Sequence, residues 1–124
     1  FVGPQNAEET EQTYDTLDKQ MEDPYSIYNF VKQTISIRNA FPEIARGTNT
    51  FEKDLSNDNV CIFTREYNGE KAVLIFNPSK DEASVDVSSL GVNDAVAMLQ
   101  TTKKAPSYKD GTAKLPAYSV LVLK

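Results

Sequence analysis

The sequence predicts a mainly β fold: an antiparallel Greek-key β-sandwich of six to eight strands preceded by one long α-helix. Three observations predict it. A single segment, residues 24–39, carries apolar side chains at helical spacing. From Gly47 onward the pattern changes to period two and to short apolar runs, separated by turn signals at roughly ten-residue intervals. The length of 124 residues suits one domain with a real core, and is too short for a catalytic barrel plus an accessory domain.

The chain divides into an acidic N-terminal segment (1–23), a helix with its exit (24–46) and the sandwich (47–124). The first segment has little periodicity; its best local structure is one helical turn near Thr16 to Met21, capped by Thr16 and anchored by Leu17 and Met21, four apart. The long helix begins at Asp23-Pro24, since Asp accepts from the free N–H groups of a first turn and Pro needs no partner there. Pro42 stops it. At about 100° per residue, Ile27, Tyr28, Phe30, Val31, Thr34, Ile35, Ile37 and Arg38 share one half of the wheel. That arc is wider than the roughly 100° a helix needs to cover one core, so the helix touches two neighbours. Arg38 lies amid the apolar arc; it is either held by an ion pair or by carbonyls, or reaches past the apolar surface to water, and a ligand-binding role stays open.

In the sandwich, Val60 to Tyr67 reads as a strand and Asn68-Gly69 as a tight hairpin turn. Lys71 to Asn77 returns apolar on both faces, as a central strand covered on two sides does. Ala83, Val85 and Val87 alternate with polar residues, Ala95 to Leu99 is a further strand, and Thr112–Leu115 and Tyr118–Leu123 complete the set. Thr101 to Gly111 is a polar connection with Asp110-Gly111 as a turn.

Composition excludes much chemistry. There is no His, which removes imidazole acid–base catalysis and His-ligated metals, and the single Cys removes disulfides and cysteine-cluster zinc. Neither a cofactor nor a metal is expected. The net charge of −5 is concentrated at the start, where residues 1–24 carry seven acids against Lys19. The remaining eleven acids and twelve bases leave the body near neutral, with no basic footprint for nucleic acid. No apolar stretch is long enough to span a membrane as a helix. The start, Phe1-Val2-Gly3-Pro4, reads as that of a fragment.

The carboxylate pairs Asp54/Asp58, Asp81/Glu82 and Glu66/Glu70 sit in polar turns or at strand ends, so no glycosidase-like pair about 5 Å apart in a cleft is expected from them. Asp54 to Asn59 lacks the Gly and Glu of a calcium loop and reads as a turn. Cys61 is a buried, inert thiol and Lys103-Lys104 a solvated pair. Tyr108, in the polar connection, is the best exposed ring for stacking on a sugar, although a plain surface role is the simpler reading.

Asp23 to Gly47, with its aliphatic run, Ile37-Arg38, Pro42 and Gly47, resembles the last barrel helix of α-amylase-family glycoside hydrolases and its exit into their C-terminal domain. Lys71 to Pro78 is similar to that domain's central strand ending in Asn-Pro, and Leu115 to Leu123 to its closing strand. The resemblance covers residues 16–124. It implies a parent whose Asp nucleophile, Glu acid, second Asp and His residues lie upstream, so no catalytic residue is carried over. The expected function is a non-catalytic domain that covers and stabilises the barrel of a hydrolase acting on α-glucans, starch or maltooligosaccharides. Ile27, Phe30, Val31, Ile35 and Arg38 are then the interdomain packing residues, and Tyr108 the candidate sugar contact. The expected partner is the (β/α)₈ barrel of the parent chain, with α-glucan a further candidate ligand. Once separated from the barrel, the helix face invites self-association. A stand-alone carbohydrate-binding or adhesion sandwich is the alternative. A starch-degrading parent is expected outside the cell or on its surface, an oligosaccharide-degrading one in the cytoplasm.

Overall fold

The computed structural model describes residues 15–124. The first 14 residues of the acidic segment, with Glu8, Glu9 and Glu11, lie outside the described residues.

Three helices come first: α1 (Leu17–Glu22), α2 (Ile27–Ala40) and α3 (Pro42–Arg46). Thr16 holds the N-cap position of α1 without a side-chain bond, and Leu17 and Met21 are 60% and 52% exposed, so neither anchors the turn. Polar groups hold the corner instead. The Gln20 carbonyl accepts from Ser26 Oγ at 2.5 Å and from Asn29 Nδ2 at 3.0 Å, while Gln20 Oε1 accepts the Tyr28 N–H at 3.1 Å. This corner moves the start of α2 three residues beyond the expected Pro24. The Asp23 carboxylate is spent on the Tyr25 N–H two residues on, closing a turn through Pro24. Ser26 is the cap, its Oγ accepting the Asn29 N–H at 3.3 Å. At the far end Pro42 does more than stop α2: it opens α3 in the first turn, where its missing N–H costs nothing. Gly47 ends α3; a Cβ there would stand 2.1 Å from the Glu43 carbonyl oxygen, so only glycine fits.

Eight strands follow: β1 (Thr48–Phe51), β2 (Cys61–Tyr67), β3 (Glu70–Asn77), β4 (Ala83–Asp86), β5 (Ala95–Leu99), β6 (Ser107–Lys109), β7 (Thr112–Leu115) and β8 (Ser119–Leu123). One sheet has the order β1-β2-β3-β8-β5 and the other β4-β7-β6, with every pairing antiparallel. The expected antiparallel sandwich is thus present, with the chain crossing between sheets after β3, β4, β5 and β7. The two hairpins turn on Asn68-Gly69 and Asp110-Gly111, all four residues at positive φ, as a two-residue turn matching strand twist requires. Two strands go beyond the expected set: β1, and β6 inside the stretch read as a polar connection. In β5 the register shifts between Ala95 and Ala97, a bulge at the sheet edge.

The core lies between the sheets. Ile62, Val73, Ile75, Leu121 and Leu123 from the larger sheet meet Ala113 and Leu115 from the smaller, with Val60, Val87 and Val92 closing the ends. Each such side chain contributes about 1.5–3 kcal/mol by leaving water. Asn77, 1% exposed, knots the end of β3 to the β7–β8 connection. Its Nδ2 donates to the carbonyls of Asp81, Leu115 and Pro116 at 2.9–3.1 Å, and its Oδ1 accepts from the Ser79 N–H and hydroxyl.

Asn77→Ala removes the amide that donates to the buried carbonyls of Leu115 and Pro116, the second of which keeps only Ser119 Oγ, and should cost about 2–3 kcal/mol. Urea unfolding checks it: the midpoint falls while the slope is kept. Asn77→Asp should cost more at neutral pH, because a carboxylate would face three carbonyl oxygens.

Candidate functional site

Helix α2 has 14 residues and none of them is buried. Ile27, Val31 and Ile35, one turn apart, are 55%, 51% and 55% exposed. They form with Leu17 a continuous apolar strip along the α1–α2 pair. Phe30 is half-buried, turned toward the sheet, and Arg38 is exposed. Among the described residues Arg38 has no ion pair or side-chain hydrogen bond and is exposed, so of the two arrangements open to it the reach to water is the one found. The physical reason is that the arc it shares is open to water, where a guanidinium needs no partner.

The outer face of the five-stranded sheet continues the apolar surface. Alternation along β2, β3 and β8 puts Cys61, Phe63, Leu74, Phe76 and Val120 on this side, all half-buried, and Phe51 on β1 is 49% exposed. Phe63 stands at the centre of an aromatic row, 5.3 Å from Phe51 and 5.8 Å, edge-on, from Phe76. Cys61 is therefore a half-buried member of this face and not the buried thiol expected, because its strand turns it away from the core. The expected double cover of β3 is complete on the core side and incomplete on this one.

A polar clamp fixes α3 to one end of the same sheet. Arg65 Nη2 donates to the Ile44 carbonyl at 2.7 Å and Nε to the Glu43 carbonyl at 3.3 Å. Glu43, 3% exposed, accepts from Lys124 Nζ at 2.5 Å through Oε1, while its Oε2 has no partner among the described residues. Lys124 also lies 3.8 Å from Glu70 and 5.9 Å from the centre of the Phe41 ring. The Lys124 ammonium bonded to it holds the Glu43 carboxyl below its ordinary value of 4.5 against the opposing effect of burial. The same bond raises Lys124 above 10.5.

The other residues singled out in the sequence do not converge on this surface. Tyr108 lies in β6, not in an exposed loop; its ring packs against the core and its hydroxyl donates to the Val92 carbonyl at 2.9 Å. The flat, accessible ring expected for stacking on a sugar is not present there. The stretch from Asp54 to Asn59 is a turn in which Asn57 Oδ1 accepts the N–H groups of Asn59 and Val60. Asp86 is held below its ordinary range by the hydroxyl and N–H of Ser88, the local geometry of a turn. Among the described residues no acidic or Cys cluster is arranged to hold a metal, and no helix is long and apolar enough to cross a membrane.

Comparison with known proteins matches residues 54–122 to the family described as "Maltogenic Amylase, C-terminal domain". The chain belongs to this family. It is the C-terminal domain of an α-amylase-family glycoside hydrolase, as the helix exit and closing strand imply. Among solved structures it is similar to Eubacterium rectale Amy13B, with 98% identity over 99% of this chain and a TM-score of 0.93. This chain spans 24% of the Amy13B chain. It also resembles the trehalulose synthase MutB from Pseudomonas mesoacidophila MX-45, at 23% identity over 86% of this chain and 19% of that one, with a TM-score of 0.71. A MutB F164L variant matches similarly, at 22% identity over 88% of this chain and 20% of that one, with a TM-score of 0.72. At that identity the likeness is one of fold. No curated protein matches.

The Glu43–Lys124 pair carries a pH signature. Glu43's contribution is complete above pH 4.5, its unfolded value, and is lost as pH falls through the lower folded value. Lys124's contribution is complete below 10.5 and is lost as pH rises through the higher folded value. Glu43→Gln should flatten both limbs of stability against pH, read from urea midpoints at stepped pH.

Proposed function

We propose that this chain is a non-catalytic C-terminal domain that packs against the catalytic barrel of an α-amylase-like glycoside hydrolase and stabilises it. The parent would act on α-glucans, starch or maltooligosaccharides. The observation that carries the reading is the uncovered helix: α2 buries no residue, yet spaces Ile27, Val31 and Ile35 along one side. Isolated helices of this length are marginal in water, and an amphipathic helix draws its stability from the body it covers. A domain that is a fraction of a longer chain supplies such a body. The family match and the 24% share of the Amy13B chain support it. Phe30 turns inward to this sandwich, and the strip turns outward to the barrel. Arg38, at the end of that strip, finds its partner there.

The non-catalytic part rests on the chemistry present. The chain has no His, and the one buried carboxylate among the described residues, Glu43, is bonded to the Lys124 cation. A sugar-binding module is less well supported, since the ring chosen for that role packs against the core. A polymeric substrate would put the parent outside the cell or on its surface; a maltooligosaccharide would suit the cytoplasm.

The purified 124-residue chain should release no reducing sugar from soluble starch. Turnover that survives repeated purification would sink the non-catalytic reading. Val31→Asp with Ile35→Asp should leave the thermal midpoint of the isolated chain nearly unchanged, because both sites face water, and reduce its self-association in light scattering. In the longer, barrel-containing polypeptide the same pair should cost about 3 kcal/mol or more, by putting charge into a covered apolar contact.

A further inference from the structure

A groove of about 370 Å³ runs between the start of α2 and the outer face of the five-stranded sheet. Its apolar walls are Ile27, Phe30, Phe76, Pro78, Val120 and Tyr118. Three of the polar side chains that border it are already committed inside the chain. Ser26 Oγ donates to the Gln20 carbonyl, Asn77 is bonded at both ends of its amide, and Ser119 Oγ donates to the Pro116 carbonyl at 2.7 Å. That leaves Thr101 and two tyrosine hydroxyls. A sugar would find few partners for its hydroxyls here, whereas an apolar side chain needs none.

Tyr118 forms its wall under backbone strain. Its φ is 52°, in the left-handed region that a bulky side chain rarely enters, and its N–H is tied to the Ser79 carbonyl at 3.2 Å. Tyr118 so placed is 53% exposed. Within this chain the arrangement combines strain with an apolar ring in water, and strain that persists in a folded protein points to a use for the residue it aims. Ile27 belongs both to the groove and to the outer strip of α2, so the two surfaces are one.

We infer that this groove seats apolar side chains from the catalytic-barrel portion of the longer polypeptide, with Tyr118 as the wall that packs over them. The inference rests on the interdomain reading and says where that contact is concentrated. The occupant follows from the apolar lining, from continuity with the α2 strip, and from the three-quarters of the Amy13B chain that lies outside a segment 98% identical to this one.

The test compares Tyr118→Gly in the isolated chain and in the longer polypeptide by thermal unfolding. Glycine takes positive φ without strain, which offsets the loss of a half-exposed ring. The isolated chain should therefore keep its midpoint within about 2 °C, while the longer protein should lose about 4 °C or more. Tyr118→Phe should leave both unchanged. A comparable fall in both proteins would make Tyr118 an internal packing residue, and no fall in the longer one would leave the groove unoccupied; either overturns the inference. The Val31→Asp, Ile35→Asp pair separates the two levels. If it destabilises the longer protein and Tyr118→Gly does not, the seat fails and the interdomain reading stands. If neither change is felt there, both fail.

Discussion

Helix α2 has 14 residues and fully buries none of its side chains. Its backbone bonds are complete, its start is capped by Ser26, and its corner with α1 is tied by Gln20 and Asn29. These contacts set its direction; they do not remove apolar area from water. The helix touches the sandwich at Phe30 and leaves Ile27, Val31 and Ile35 outside. The rest of the architecture can be read as the means of holding that face at a fixed angle to the sheet beneath it.

Two polar knots do the holding. At one end of the sheet, Arg65 grips the carbonyls of α3 and Lys124 reaches Glu43, so the exit of the helix is fastened to β2 and to the end of β8. At the other end, Asn77 binds the end of β3 to the approach of β8. Between them the sheet has two unlike faces. One meets the smaller sheet in a dry core of Val, Ile and Leu; the other carries Phe51, Phe63 and Phe76 and is only half-covered. A sheet that is apolar on both sides fits a middle layer, with a further layer on its open side.

Much of this was legible in the sequence, where local signals agree with the fold. Asn-Gly and Asp-Gly supply both positive-φ positions of a hairpin, and the unbroken apolar run from Ala72 to Phe76 marks a central strand. What escaped depended on distant partners. Asp23-Pro24 has the local chemistry of a helix start, but Gln20 and Asn29 move the cap to Ser26 through bonds across the α1–α2 corner. Strands β1 and β6 are three or four residues long and carry no periodicity, because edges need no buried side. The Glu43–Lys124 bond joins residues 81 apart, and the hydroxyl of Tyr108 is taken by a carbonyl 16 residues away. Nothing near Arg38 in the sequence could show that its arc stays open. Tyr118 reads as the start of a two-sided strand, whereas it sits in a left-handed turn ahead of Ser119.

The bulge in β5 bears on how such a domain stays separate from its neighbours. This strand closes one side of the larger sheet, and Val96 and Met98 on it are 40% and 37% exposed. A straight apolar margin of that kind invites a strand from another molecule to dock alongside and lengthen the ladder. The register shift between Ala95 and Ala97 breaks the even spacing of amide groups that an incoming strand would have to match. The opposite margin, β1, is only four residues long and gives way at once to the polar turn around Lys53 and Asp54. The domain thereby confines its stickiness to broad side-chain surfaces, where shape selects the partner, and denies it to the backbone, where almost any extended peptide would do.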